Sequence, residues 1–389
     1  MTLRTMLTTL LILALTTGGR CLEESTAPQE GEGPGQAPAP PTLSNAVLRS
    51  PEPICSRPST IVCEDFETSG ASDWNDYKDN NFNVQSDDAF GGERSLRQRY
   101  DLGQVGAGWL AWFFGDHPNG GVRGGERFEE VYFRFYHKFQ PGWPDSYPPK
   151  VARIRSHFID GGWRFAWAEH LWISRSRSRG TPASDPMSRI AAPDGTEYLD
   201  DAERRWLGNK PLDLRFAERD GEWVAIEMRV KLNTPGQDDG EITYWADGKV
   251  VLQREGLNIR GAYTATTINV AMLDTYWNGG AVEEGLKRWY DNVVVATEPI
   301  GCAGFSVSKS GLERQGAWQL QIAAAADESS LVWDSGTIQG AGDEVVVSES
   351  TGTFSGGRRC VYPSEAPFMR ARQAVGSSWS EWSDWAPMF

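Results

Sequence analysis

The stretch "KVARIRSHF", residues 150–158, gathers side chains that bind anions or move protons: Lys150, Arg153, Arg155 and His157. In an extended chain, successive side chains alternate between faces. Arg153, Arg155 and His157 then share one face, and Lys150 has the opposite parity at the start of the run. The preceding run "EEVYFRFYHKF" repeats the arrangement, with Tyr132, Arg134, Tyr136 and Lys138 on one face and Phe133, Phe135, His137 and Phe139 on the other. Guanidinium groups match carboxylates bidentately, and histidine titrates close to neutrality. Residues 123–180 hold 11 Lys and Arg against 6 Asp and Glu, in a chain of formal net charge -15. A cationic groove on an acidic body would focus an anionic polymer into it. The plainer alternative pairs Arg153 and Arg155 with Glu129, Glu130 or Glu169 and leaves His157 as a strand histidine near the core.

The elements that would carry these side chains are strands. From about residue 60, short alternating runs follow one another between Gly, Pro, Asn and Asp: "VARIRSHF", "WRFAWAEHLWI", "EWVAIEMRVKLN", "GEITYWADGKVVLQ", "TTINVAMLDTYW" and "RWYDNVVVAT". Period two and β-branched or aromatic content predict strands. "ADGK" at 246–249 reads as a hairpin turn. The segment 199–208, "LDDAERRWLG", is the one helical candidate, inside a polar insertion of residues 174–220 that could act as a lid. This pattern predicts an all-β chain with a large antiparallel β-sandwich over residues 55–300. Beyond "ATEPIGC" (296–302), residues 301–389 repeat the strand rhythm on a smaller scale and suit a second, immunoglobulin-like or fibronectin type III-like sandwich.

Ahead of the first strand, Arg4, an apolar run and small residues over 1–21 read as an export signal, too short to span a bilayer comfortably. Cys21 sits where a lipid-modified cysteine would sit, although Arg20 occupies a position that favours a small residue. Residues 22–54 read as a disordered tether. The expected location is therefore secreted or cell-surface, with contact to a membrane only through the lipid. Export permits disulfides, with three pairings open to Cys55, Cys63, Cys302 and Cys360. Cys55 and Cys63 are close enough in sequence to staple the entry to the first strand, and Cys302 with Cys360 would then tie the second domain. Metal binding, the other reading, lacks a C-x-x-C spacing. The acidic balance argues against a nucleic-acid partner, and "SRSRSRG" at 174–180 reads as a solvated loop.

Several stretches together resemble the concanavalin A-like jelly roll of polysaccharide lyases, especially the alginate- and glucuronan-lyase type. They are "EDFE", "EEVYFRFYHKFQPGW" followed by "KVARI", "WVAIEMRVKLNTPGQDDGEITYWADGKVVLQREGLNIR", "INVAMLDTYWNGG" and "YDNVVVAT", and the resemblance covers most of residues 60–298. The family's Gly-Gly-Lys motif is Pro-Pro-Lys here, so Lys150 alone carries over from it. Separately, "WSEWS" (379–383) resembles the WSxWS motif of fibronectin domains in cytokine receptors. Its physical role would be a ladder of Trp379 and Trp382 alternating with Arg370 and Arg372.

The lyase resemblance implies an anionic, uronate-containing polysaccharide lying across a concave sheet and broken by β-elimination. Such a reaction needs a donor for the enolate-like intermediate, a base, and an acid for the leaving oxygen. Arg153, Arg155 and Asn278 suit the first role and His157 is a natural base. Tyr136 or Tyr276 could be the acid, or both base and acid, and Lys150 could hold the carboxylate or act as base. Arg134 and Lys138 would bind substrate, and Tyr276 with Trp277 would stack on sugar rings or, alternatively, only pack. No cofactor is required, and a structural calcium near Asp65 and Glu67 is the one metal expectation. A non-catalytic carbohydrate-binding surface protein of the same fold is the competing reading. A glycoside hydrolase would need two carboxylates facing one bond, and the Glu-x-Asp-x-x-Glu pattern of jelly-roll glucanases is absent.

Overall fold

A computed structural model describes residues 37–389, apart from 49, 145–148, 158–164, 174–181, 185–186, 190–203, 278, 282, 311–315 and 341. Residues Ala37–Phe389 form one compact unit. Its named strand pairings are antiparallel, and its helices are short 3-10 turns, none long and apolar enough among the described residues to cross a membrane.

The large sandwich consists of two sheets. The front sheet runs Arg204–Trp206, Met187–Arg189, Phe165–Ile173, Lys150–His157, Val270–Asp274, Gly108–Phe113, Asp76–Asp79. The back sheet runs Lys249–Leu257, Gly240–Ala246, Val224–Lys231, Glu130–Phe139, Leu286–Ala296, Ser95–Tyr100, Phe82–Gln85, with Thr60–Glu64 also on Leu286–Ala296. Between them lies a core built by alternation, with Phe133, Phe135 and Phe139 meeting Ile154, Trp167, Leu171, Ala271 and Leu273. The turn after Gly240–Ala246 puts Asp247 and Gly248 at φ 44° and 72°, the pair of positive values that a tight hairpin of this hand requires. The helical candidate is corrected where it is described: Arg204–Trp206 is a strand paired with Met187–Arg189, and 199–203 lie outside the described residues.

A smaller pair of sheets shares a second core of Phe305, Val307, Trp318, Leu320, Ile322, Trp333, Val345 and Met369. One sheet holds Phe305–Ser310 and Glu344–Val347, and the other is centred on Gly316–Ala323 and Phe368–Val375. Residues expected to belong to a tether join it: Thr42–Leu43 and Val47–Leu48 both pair with Phe305–Ser310. Leu48 is buried there, which explains why this piece is ordered despite its Pro-rich surroundings. Cys21 and the export signal lie outside the described residues.

Disulfides join Cys55 to Cys63 and Cys302 to Cys360. The tryptophan ladder is longer than the motif suggests. The Arg372 guanidinium lies 4.6 and 4.7 Å from the Trp379 and Trp382 rings, and that of Arg370 lies 4.4 and 4.5 Å from Trp382 and Trp385. Gln319 and Gln321 accept hydrogen bonds from these arginines at 2.7–3.1 Å and hold the guanidinium planes in place.

Candidate functional site

The outer face of the front sheet collects the chemistry. Ala152 and Ile154 point into the core, so the intervening Arg153, Arg155 and His157 point outward, as the alternation requires. On the neighbouring strand Ala271 and Leu273 face inward, while Val270, Met272 and Asp274 face outward. Arg153 stands opposite Met272 on one side and His170 on the other, and Asp274 stands opposite Trp109.

Arg153 makes an ion pair with Asp274, not with any of the three glutamates considered above. Glu129 pairs with Arg260 and Glu130 with Arg229, while Glu169 faces the core and accepts from the Tyr244 hydroxyl. Burial raises the Asp274 carboxyl, but Arg153 and Lys150 outweigh it and hold its pKa at about 2. The Lys150 ammonium lies 4.5 Å from the centre of the Tyr276 ring, and Lys150 N–H donates to the Tyr276 carbonyl at 2.8 Å. Tyr276 N–H in turn donates to Asp274 Oδ1 at 3.1 Å. Lys150, Arg153, Asp274 and Tyr276 are thus one connected group, and Tyr276, 42% exposed, is its open edge.

At the deep end Arg155 is fully buried and its Nη2 reaches Met272 Sδ at 2.9 Å. Burial and Arg153 push its pKa down to about 9, which still leaves the guanidinium charged at neutral pH. His157 Nδ1 lies 3.1 Å from Nε2 of His117, whose ring stacks on Phe113 with centroids 3.7 Å apart. Burial, Arg155 and His117 push His157 down to about 2, and burial and Arg155 push His117 down to about 4. Both imidazoles are therefore neutral near pH 7, and their tautomers follow from the hydrogen bonds. Asn119 N–H donates to His117 Nδ1 at 3.1 Å, so the His117 proton sits on Nε2. That proton goes to His157 Nδ1, which leaves the His157 proton on Nε2.

Arg288, on the back sheet and fully buried, crosses the core to fix the ends of both site strands. Its Nη2 donates to the Lys150 and Asp274 carbonyls, both at 2.8 Å, and its Nε to Gln98 Oε1 at 2.6 Å.

Three expected residues belong elsewhere. Arg134, Tyr136 and Lys138 lie on the back sheet, on its outer face, and not on the groove side. Arg134 is fully buried, with Nη2 on Glu52 Oε1 at 2.5 Å. Tyr136 accepts from Ala303 N–H at 3.0 Å beneath the small sandwich, and burial pushes its hydroxyl far above the ordinary range. Lys138 pairs with Asp88 at 2.7 Å. Trp277 is corrected as a stacking platform: it is fully buried, edge-on to Tyr100 at 4.9 Å. Half-buried Trp109 is the flat face on the site side, held by Asp76 at 2.9 Å with Lys78 5.0 Å from its ring. Asn278 lies outside the described residues, as does most of the insertion read as a lid. Asp65 and Glu67, the calcium candidates, accept from Ser50 and from the Glu93 and Arg94 N–H groups, and among the described residues no three potential metal ligands come together.

His117, Trp109 and Arg288 were missed. The alternation of "GWLAWFF" places Trp109 with Phe113 and was a usable signal, whereas His117 sits in a loop with no period.

Residues 213–285 match the family model described as Polysaccharide lyase 14. The matched segment includes Asp274 and Tyr276 but not the strand Lys150–His157. No curated protein sequence matches the chain. Among solved structures, an endo-β-1,4-glucuronan lyase from the fungus Trichoderma reesei is similar at 17% identity, with 61% of this chain and 96% of that chain covered and a TM-score of 0.45. Alginate lyase vAL-1 from Chlorella virus is similar at 16% identity, with 61% and 100% covered and a TM-score of 0.45. The PL-14 alginate lyase from the marine Aplysia kurodai is similar at 14% identity, with 62% and 100% covered and a TM-score of 0.43.

Proposed function

We propose that this chain is an exported polysaccharide lyase that cuts a uronate-containing polymer by β-elimination on the outer face of its front sheet. The observation that carries this reading is the row Lys150, Arg153, Arg155 and His157 beside Asp274 and Tyr276. It joins fixed cations to groups able to transfer a proton, and part of it lies within the segment matched to a polysaccharide-lyase family. In the first step a base removes the proton next to the uronate carboxylate, and negative charge spreads onto that carboxylate. Arg153, at the half-buried part of the row, meets it there, and the buried Arg155 and His157 behind it add fixed positive charge and dipole with little water to reorient. His157 is thus not the base first expected, because its Nδ1 lone pair is taken by His117. The base is then Lys150 or Tyr276 at the open edge. In the second step the bond to the leaving oxygen breaks, the double bond forms, and the protonated base or its neighbour returns a proton to that oxygen. Asp274 positions Lys150 and Arg153, and Trp109 offers a face to a sugar ring.

The two disulfides support an oxidising, extracytoplasmic location, and Cys21 is the residue that a lipid would modify. The test is incubation of the protein with alginate, glucuronan, other uronate polymers and a neutral glucan, following the ultraviolet absorbance of the unsaturated product. A rise with one acidic polymer, lost in Tyr276→Phe and Arg155→Ala, is expected. A flat trace with the polymer still retained by the protein would replace the lyase with a binding protein.

A further inference from the structure

A second cavity, of about 500 Å³, lies on the opposite side of the large sandwich, where the back sheet's outer face meets the small one. Trp245 and Glu227 stand opposite each other in its floor, and the buried Arg134 stands opposite Glu227 on the next strand. Glu227 accepts N–H bonds from Ile300 at 3.0 Å and Gly301 at 2.9 Å, and burial raises its pKa. Glu52, 3% exposed, lines the same cavity. Its Oε1 is engaged by Arg134 and Asn292, while its Oε2 has no hydrogen-bond partner among the described residues. A buried carboxylate oxygen without a donor is costly, and a ligand that brings a donor recovers that cost. Trp245 is half-buried and offers an aromatic face. Arg57 and Arg359 stand at the exposed rim.

We infer that this cavity binds a neutral saccharide, and that it is a site separate from the groove on the front sheet. Three features point to that class. The lining mixes acidic residues (Glu52, Glu227, Glu349) with basic ones (Arg57, Arg359) without a dominant sign, which suits neither a polyanion nor a free cation. The unmet acceptor on Glu52 calls for a hydroxyl donor. A pyranose presents an apolar C–H face to an indole and hydroxyls at its rim, and a cavity of this volume is of small-ligand size.

The test uses the full chain and titrates cellotriose, mannotriose and trigalacturonate by calorimetry, with calcium chloride as a separate arm. A neutral trisaccharide is expected to bind, with Trp245→Ala and Glu52→Gln each weakening it at least tenfold. Trp245→Ala leaves release of unsaturated product from a uronate polymer unchanged, which separates this site from the lyase reading. Because Glu52 also pairs with Arg134, Arg57→Ala serves as a variant that disturbs no buried charge, and it weakens the same ligand severalfold. Equal binding by wild type and Trp245→Ala, or no binding of either neutral trisaccharide, overturns the inference. So does binding only of trigalacturonate or only of calcium that depends on Glu52.

Discussion

Replacing His117 by Phe should change how the stability of this protein responds to acid. Folding holds the His117 imidazole neutral, with a pKa of about 4 against 6.5 in the unfolded chain. The unfolded state then binds more protons between those values, so stability is full above pH 6.5 and falls as the pH drops toward 4. A displacement from 6.5 to about 4 corresponds to about 3 kcal/mol at full value, and screening by the water that reaches the site cuts this to roughly 1.5 kcal/mol. His117→Phe removes that titration and keeps the stacking on Phe113. It also removes two hydrogen bonds, the one to His157 and the one from Asn119 N–H, a loss of about 2 kcal/mol at neutral pH. The variant is therefore less stable than wild type at pH 7 by about 2 kcal/mol, and that gap narrows by roughly 1.5 kcal/mol as the pH falls from 6.5 to about 4. Urea unfolding followed by tryptophan fluorescence at half-unit pH steps reads the difference directly. A wild-type advantage that stays constant from pH 7 to pH 4 would refute the neutral histidine pair.

Other outcomes follow from the same contacts. Asp274→Asn leaves Arg153 without its carboxylate beside a charged Arg155, so the urea midpoint should fall by the equivalent of about 2–4 kcal/mol, and release of unsaturated product should fall with it. Glu52→Ala strips the partner from a guanidinium that is 0% exposed, and a loss of about 3–5 kcal/mol is expected in thermal or urea unfolding. Trp382→Ala removes the central ring that both Arg370 and Arg372 touch, and at about 0.5–1 kcal/mol per half-exposed cation–π contact the small sandwich should lose about 1–2 kcal/mol, read as a lowered melting transition.

How much of this was legible depended on whether a local period carried the information. Alternation put Arg153, Arg155 and His157 on one face, and the structure has them so, because one strand's parity is a local property. The same alternation grouped Arg134, Tyr136 and Lys138 correctly but did not say which sheet they belong to. The link between Glu130–Phe139 and Lys150–His157 passes from the back sheet to the front one, so two adjacent runs present their cations to opposite sides of the molecule. Trp277 follows an exposed tyrosine, and its neighbour's parity already turned it inward. Arg288 was invisible, because a buried arginine that satisfies carbonyls from another sheet reads like any surface arginine. The ordering of residues 37–48 was equally hidden. Their partners lie far along the chain, with Ser44 and Ser308 separated by 264 residues.

That last pairing makes the small sandwich discontinuous in the chain, with the large one inserted into it. Closing a loop of that length from a random coil costs roughly 5 kcal/mol of chain entropy. The large sandwich removes most of this cost. Its first strand, Thr60–Glu64, lies beside its last, Leu286–Ala296, with Thr60 opposite Ala296. Once those two strands pair, the segments leading out of them toward Val47–Leu48 and Phe305–Ser310 emerge side by side. The insertion thus acts as the clamp for its host: completing the small sandwich costs less chain entropy once the large one has formed. A chain cut near residue 300 would therefore leave the remaining C-terminal piece without two of its strands, and would uncover the face that holds Arg134 and Tyr136.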